Sequence, residues 1–378
     1  MDEVVEWLFD PGARGLLPHE LIAGLVERLL PTMSLWRVST GLRTMHPEVA
    51  VVSLTWTADQ GVAVADVPHS QLRTGLADGP IPQLIRSGQP ILRARLDGPP
   101  HEVPMLRRFQ EQGATDYVLL LLPGTRDQIL SLTTRAPGGF TEGQVADLLR
   151  LRMPLSLRLD LALSRHITHS LLGAYLGRHA AKQVLEGRYL REGGQRLQVI
   201  VFTCDLRGFT DRVDHGPLET VLTELDAYFD CVSEPWVDAG GEILKFVGDA
   251  VLGILPLGDD PADAARRALR AAQQAFEALE AASEALPPGR PPLRMGWVLH
   301  AGEVVYGNIG SRQRVDFTVI GRCVNEAARL EKLTKELAPL VLSEAFVEQL
   351  GTATELRELG AHALRGVSQP VTVYTPRG

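Results

Sequence analysis

Between Leu197 and Leu330 the hydrophobic period keeps switching between two and three-to-four, and this alternation restricts the fold more than any other feature. Leu197 to Phe202 is a β-rich run leading into Thr203-Cys204-Asp205. Leu218, Leu222, Leu225, Phe229 and Val232 then recur at the spacing of one helix face, with Pro235 predicting a bend near its end. Ile243 to Val247 and Ala250 to Leu255 are strand-like and separated only by Gly248-Asp249, the signature of a hairpin. An Ala-rich helix is expected from Pro261 to Leu286, followed by the Pro-rich loop 287–292 and a strand from Leu293 to Leu299. A turn at Ala301-Gly302, a strand from Val304 to Tyr306, another from Val315 to Ile320 and a helix beginning at Val324 complete the series. The order is βαββαβ with additions. It predicts an α+β fold, an antiparallel ferredoxin-like sheet backed by helices.

The preceding half is less regular. Leu21 to Leu30 has helical spacing, while Val49 to Trp56, Val62 to Val64, Tyr117 to Leu122 and Ile129 to Leu132 read as strands. Thr141-Glu-Gly-Gln144 has the capping-box pattern before an apolar-periodic stretch, Val145 to Leu163, that Pro154 is expected to kink or split. A second helical stretch is expected from Ile167 to Leu190, stopped by Arg191-Glu-Gly-Gly194. At roughly 100–200 residues per domain, 378 residues suggest two or three domains. The expected division is an α/β domain at 1–165, a helical linker at 166–194 and a second domain at 195–378.

Composition narrows the function. A net charge of −8 argues against a general nucleic-acid or acidic-membrane binder. No apolar run approaches the ~20 residues of a membrane span, and the acidic start Met1-Asp-Glu lacks the basic region of a signal peptide. Cys204, Cys231 and Cys323 are odd in number and widely spaced, so no disulfide framework is expected. The expectation is a soluble cytoplasmic protein.

Asp205 lies just past a strand and Asp249 in the turn of the following hairpin, so a βαββ unit brings both carboxylates to one sheet edge. Two hard oxygen ligands suit Mg²⁺ or Mn²⁺ held jointly with substrate phosphates, and two such ions can clamp a phosphoryl or nucleotidyl transfer. From spacing alone the plainer reading stands beside it: Asp205 caps a loop and Asp249 is an ordinary turn residue.

Longer stretches carry a resemblance. Phe202-Thr-Cys-Asp-Leu-Arg-Gly-Phe-Thr210 resembles the first metal motif of the class III nucleotidyl cyclases, and Gly240-Gly-Glu-Ile-Leu-Lys-Phe-Val-Gly-Asp-Ala-Val251 the second. Met295 to Gly310 is similar to their central segment, and Asp316 to Leu330 to the ribose and transition-state motif. The likeness covers roughly residues 195–376, with the motifs in the family's order. It implies that Asp205, Asp249 and the backbone carbonyl of Leu206 hold two divalent cations, Mg²⁺ or Mn²⁺. It implies that Lys245 and Thr318 read the purine. Guanylate-specific members typically present Glu and Cys there, so the pair favours ATP over GTP. Asn325 is implied to orient the ribose and Arg329, four residues on, to neutralise charge on the α-phosphoryl group. Arg365, and Arg312 less securely in register, match phosphate contacts. Taken singly, Lys245 and Thr318 are also ordinary strand residues, Asn325 and Arg329 ordinary helix residues, and Arg365 an ordinary loop arginine.

The resemblance implies a homodimer whose two sites mix residues of both subunits, and an adenylate cyclase forming cyclic AMP and pyrophosphate. The alternatives are a guanylate cyclase and a catalytically silent nucleotide-binding module. His300 is expected to be structural, and Cys204 and Cys323 to be buried thiols. The helix opening at Phe140-Thr-Glu loosely resembles the last helix of a GAF-type sensor, implying a regulatory ligand or protein acting at the N-terminal domain. His46, His69 and His101 are read as scattered rather than metal-binding, and Trp36, Trp56 and Tyr117 as core or pocket aromatics.

Overall fold

The structure, a computed structural model, describes all residues except 46–48, 72–78, 125–127, 189–193, 352–353 and 378, and the side chain of Arg178. The chain packs as two compact units, Met1–Tyr175 and Leu176–Gly378.

The first unit is built on an antiparallel sheet in the order β3-β2-β1-β6-β5-β4. Its strands are β1 (Arg37–Arg43), β2 (Val49–Thr57), β3 (Gly61–Pro68), β4 (Ile91–Arg95), β5 (Asp116–Leu122) and β6 (Gln128–Thr134). Helices α1 (Asp2–Phe9) and α2 (Pro18–Leu29) precede the sheet, α3 (Pro80–Ser87) and α4 (Pro104–Glu111) interrupt it, and α5 (Glu142–Leu176) follows. Both faces of β5 are covered. Val118, Leu120 and Leu122 pack with Leu25 of α2 and Leu155 of α5, while Tyr117 and Leu119 pack with Leu84 of α3 and Leu106 of α4. A strand buried on both sides has no polar alternation, which is why 117–122 is one continuous apolar run. Trp36 and Tyr117 are buried there, and His101 accepts from the Val103 amide. His46 lies outside the described residues, and among those described no group of three or more His, Cys, Asp or Glu is placed to hold a metal.

Helix α5 opens with the expected capping box. The Thr141 amide donates to Gln144 Oε1 (2.9 Å) and the Gln144 amide to Thr141 Oγ1 (3.2 Å). Two expectations about it are corrected. Pro154 does not split the helix, and no separate helix begins near Ile167: α5 runs unbroken to Leu176. The break falls at Gly177, whose φ of 83° favours glycine. A short helix α6 (Arg178–Leu185) follows, tied to the next sheet where the Ala180 amide donates to Glu242.

The second unit holds strands β7 (Gln195–Leu206), β8 (Glu242–Val247), β9 (Ala250–Pro256), β10 (Met295–Gly310), β11 (Val315–Ile320), β12 (Leu340–Ser343), β13 (Leu356–His362) and β14 (Val371–Pro376). Their order is β13-β14-β12-β10-β7-β9-β8, with β11 added to β10. The β10-β7-β9-β8 core is antiparallel, as the βαββαβ reading requires. Helices α7 (Phe209–His215) and α8 (Leu218–Asp238) connect β7 to β8; α9 (Pro261–Glu284) connects β9 to β10. Helix α8 continues through Pro235 to Asp238. Ala264, Ala268, Ala272 and Ala275 of α9 are fully buried, and their small side chains let α9 lie close on α8. Phe202 stacks on Trp297 at the core, 4.5 Å between ring centres, and Trp236 packs tilted against both.

The expected turn at Ala301-Gly302 is also corrected. Both residues stay extended inside β10, opposite Ile200 and Val199 of β7. Gly302 is small for a packing reason, because a Cβ there would sit 3.0 Å from Cβ and Sγ of Cys323. The helix bearing Cys323, α10 (Arg322–Leu330), crosses the strand at that point. A 3₁₀ turn (Glu331–Lys335) continues α10, and α11 (Glu344–Leu350) follows β12. Among the described residues no helix is long and apolar enough to cross a membrane.

Candidate active site

Cys204 of β7 pairs with Val251 of β9, so the β8–β9 turn reaches the end of β7 where Asp205 sits. The two carboxylates meet there as expected. Asp249 accepts a hydrogen bond from the Leu206 amide. Burial, and then the charge of Asp205, push the Asp249 carboxyl above the usual range, while that amide and Lys335 act against the shift.

Groups not anticipated from sequence surround this pair. Arg207 places Nη1 2.8 Å from Asp205 Oδ1 and 3.4 Å from Glu331 Oε1, and hydrogen-bonds Thr334 through Nη2. Lys335 Nζ lies 3.4 Å from Asp205 Oδ2. Burial and the adjoining Asp205 carboxylate raise the Glu331 carboxyl. Arg207 was legible as a neighbour of Asp205. Glu331 and Lys335 lie far along the chain in a 3₁₀ turn, and nothing in their spacing marked them. Gly296, opposite Asp205 on β10, is required by this packing: a Cβ there would overlap Arg207 Nη2 and Thr334 Oγ1.

The site suits divalent cations by its own chemistry. Asp205 Oδ1 is buried and accepts no hydrogen bond, since Arg207 meets it as an ion pair outside hydrogen-bond alignment. Two carboxylates of like charge are held together at a strand end, with the main chain of Leu206 beside them. Such a set leaves positions for water and phosphate, the way Mg²⁺ is usually bound.

A second group forms elsewhere. Lys245 of β8 places Nζ 3.5 Å from Asp316 Oδ2 of β11, and Arg314 Nε lies 3.5 Å from Asp316 Oδ1. Thr318 is buried two residues beyond Asp316, on the same side of the strand. Asn325 is exposed on α10 and Arg329 half-buried one turn later. The Arg329 guanidinium lies against Gly366, within 3.4 Å of where a Cβ would stand, and so beside Arg365. Arg312 is exposed in the β10–β11 turn.

These groups do not meet the carboxylates. Asp205 is opposite Gly296 near the start of β10, whereas Thr318 is opposite Gly307 near its end. Among the described residues no hydrogen bond or ion pair joins Asp205 or Asp249 to Lys245, Asp316 or Thr318.

His300 is buried between Ser343 Oγ (2.8 Å) and Glu326 Oε2 (3.2 Å), and burial lowers its pKa despite that carboxylate. Both ring nitrogens are engaged, as a structural histidine requires. Cys204 and Cys323 are buried, and burial raises both thiols, Cys323 to about 12.

Residues 194–375 match the family described as the adenylate and guanylate cyclase catalytic domain. An uncharacterized protein of Mycobacterium tuberculosis is 33% identical over 223 residues, 57% of this chain and 39% of that protein. Adenylate cyclase 1 of Rhizobium meliloti is 31% identical over 197 residues, 51% of this chain and 29% of that enzyme. The chain thus spans well under half the length of these curated relatives. A bacterial light-regulated adenylyl cyclase superposes with a TM-score of 0.51 at 19% identity, over 67% of this chain and 83% of its own, a likeness of fold alone. Residues 194–375 are a class III cyclase catalytic domain.

Proposed function

We propose that the chain is an adenylate cyclase, converting ATP to cyclic AMP and pyrophosphate at sites shared between two copies. The observation that carries this reading is the convergence of Asp205 and Asp249 at the end of β7, with one buried carboxylate oxygen left without a hydrogen bond.

In the reaction the ribose 3′-oxygen bonds to the α-phosphorus, the bond to the bridging oxygen of the β-phosphate breaks, and pyrophosphate leaves. Asp205, Asp249 and the Leu206 carbonyl would hold two divalent cations, Mg²⁺ or Mn²⁺, which when bound acidify the 3′-hydroxyl and neutralise the triphosphate. Lys245 and Thr318 bind the adenine edge, an ammonium and a hydroxyl facing an acceptor and a donor. Asn325 holds the ribose so that its 3′-oxygen faces the α-phosphorus. Arg329 neutralises the charge that develops there. Arg365, at the adjoining turn, serves the terminal phosphates, with Arg312 a further candidate. Because the carboxylates and the base-reading group lie apart in one chain, each site takes Asp205 and Asp249 from one copy and the remaining groups from the other.

One observation favours a second reading. The Asp316 carboxylate beside Lys245 could accept from the N1–H and N2 amine of guanine, so a guanylate cyclase is the alternative. The N-terminal unit is proposed to be a GAF-like regulatory domain, supported by its antiparallel sheet with helices on both faces.

Mixing Asp249→Ala with Arg329→Ala chains tests the shared site. Each variant alone should be inactive, and the mixture should recover roughly one quarter of wild-type activity, because half the dimers carry one intact site of two. No recovery from subunits shown to exchange would remove the shared-site reading. A higher kcat/KM for GTP than for ATP in the wild-type chain would select the guanylate alternative.

A further inference from the structure

The second unit holds a cavity of about 380 Å³ between α7 and the loop 290–294 that leads into β10. Arg207, Arg212, Arg290 and Arg294 line it, whereas Asp205, Asp249, Asn325 and Arg329 do not. The four arginines differ in what they have left to give. The Arg207 guanidinium is taken by Asp205 and Glu331. Arg212 is buried, with Nη1 on Glu224 and Nη2 on the carbonyls of Pro291 and Pro292, which fixes the loop that carries the other two. Arg290 gives Nε and Nη2 to the same Glu224 and keeps Nη1. Arg294 is exposed and, among the described residues, its side chain has no hydrogen bond or ion pair. Gly216 leaves space beside the spare donor: a Cβ there would stand 3.3 Å from Arg290 Nη1 and 2.7 Å from the Arg212 carbonyl oxygen.

Charge and size agree on what such a cavity takes. Glu224 is one carboxylate between two arginines, so this group is left positive, and a buried positive charge is costly unless an anion offsets it. Arg294 adds a second cation at the edge. Among the described residues Asp211, exposed, is the only carboxylate in the lining. We infer that the cavity binds a phosphorylated small molecule, its phosphate held by Arg290 Nη1 and the Arg294 guanidinium. A phosphate monoester carries close to two negative charges and three acceptor oxygens, enough for both arginines at once. A single carboxylate brings one charge and two oxygens. The planar fork of arginine matches phosphate oxygens, and the Arg294 fork is wholly free to do so. The volume lies at the small end of ligand sites, with room for an organic group beside the phosphate. Pro291 and Pro292 are its apolar neighbours there.

Isothermal titration calorimetry of the full chain in EDTA, without nucleotide, tests this with glycerol 3-phosphate, inorganic phosphate and malonate as probes. Glycerol 3-phosphate should bind most tightly, inorganic phosphate next and malonate least. Arg294→Glu should weaken binding of both phosphates about tenfold, as loss of a charge-assisted contact does, and Arg294→Gln by a smaller factor. Both variants should keep the wild-type melting temperature in phosphate-free buffer, since the Arg294 side chain supports nothing else. Arg329→Ala combined with Arg365→Ala should bind glycerol 3-phosphate as the wild type does, which separates this cavity from the phosphate contacts of the reaction. No binding of any probe at millimolar concentration would overturn the inference. So would binding unchanged in Arg294→Glu, or binding lost with Arg329 and Arg365. Malonate or inorganic phosphate matching glycerol 3-phosphate would overturn the assignment to an organic phosphate. The readout needs neither metal nor turnover, so the cavity can fail while the cyclase reading holds, and the reverse.

Discussion

Lys245 Nζ stands 3.5 Å from Asp316 Oδ2, an ion pair that joins β8 to β11 two residues from Thr318. Lys245 is followed by the exposed Phe246 and Val247, and without a partner its long side chain would sample many rotamers. Asp316 holds the ammonium beside the strand that carries Thr318, so under the proposed function it would position Lys245 for base recognition. Asp316→Asn should raise KM for ATP roughly fivefold, the effect of about 1 kcal/mol for a partly exposed pair, with kcat little changed. Steady-state kinetics check this. An equal fall in kcat with KM unchanged would assign Asp316 a different role.

At Gly302 α10 packs close on β10, with the Cys323 side chain 3.0 Å from where a Cβ would stand. Helix α10 also carries Asn325 and Arg329. Gly302→Val should therefore cost about 1–3 kcal/mol in unfolding free energy, as overpacking does, and lower kcat by displacing the helix. Gly302→Val with Cys323→Ala, which vacates the space, should recover most of both. Urea unfolding and initial-rate assays measure the two effects.

Glu224 is buried and receives both Arg212 (2.7 Å) and Arg290 (2.5 Å), while Arg212 also donates to the carbonyls of Pro291 and Pro292. Both arginines hold the Glu224 carboxyl below the ordinary glutamate range, Arg290 most strongly. Glu224→Ala leaves Arg212 buried without a counter-charge and should destabilise the second unit by about 3–5 kcal/mol. Chemical denaturation of the full chain with Trp7, Trp36 and Trp56 replaced by Phe, followed by the fluorescence of Trp236 and Trp297, measures the loss.

Burial holds the His300 pKa below its ordinary value, against the pull of Glu326 and with Arg322 adding to the shift. A lowered folded pKa means that the neutral ring stabilises the fold. That contribution is complete above about pH 6.5 and is lost as pH falls through the folded-state pKa, at no more than about 1.4 kcal/mol per pH unit. His300→Gln keeps a hydrogen-bonding side chain for Ser343 and removes the titration. The wild-type melting temperature should therefore fall more steeply than that of the variant between pH 7 and pH 5. Parallel curves would show that His300 does not titrate in this range.

The hairpin at Gly248-Asp249 was legible because two short apolar runs leave only two residues between them, and β7, α8 and α9 were legible from their hydrophobic periods. Ala301-Gly302 was misread because glycine serves two purposes. There it admits Cys323 rather than turning the chain, and only the tertiary packing distinguishes them. The continuity of α5 was hidden by Pro154, a residue that usually ends helices, in a helix held by its buried leucines. Asp205 and Asp249 could be placed together from topology. Glu331, Lys335 and Asp316 could not, since their contacts cross elements whose relative placement no spacing encodes.

The most direct measurement is product analysis of the purified full chain incubated with ATP and Mn²⁺. Cyclic AMP and pyrophosphate should appear in equal amounts, and Asp249→Ala should abolish both. A wild-type chain that forms no cyclic nucleotide from ATP or GTP with any divalent cation, indistinguishable from Asp249→Ala, would contradict a catalytic role for this site.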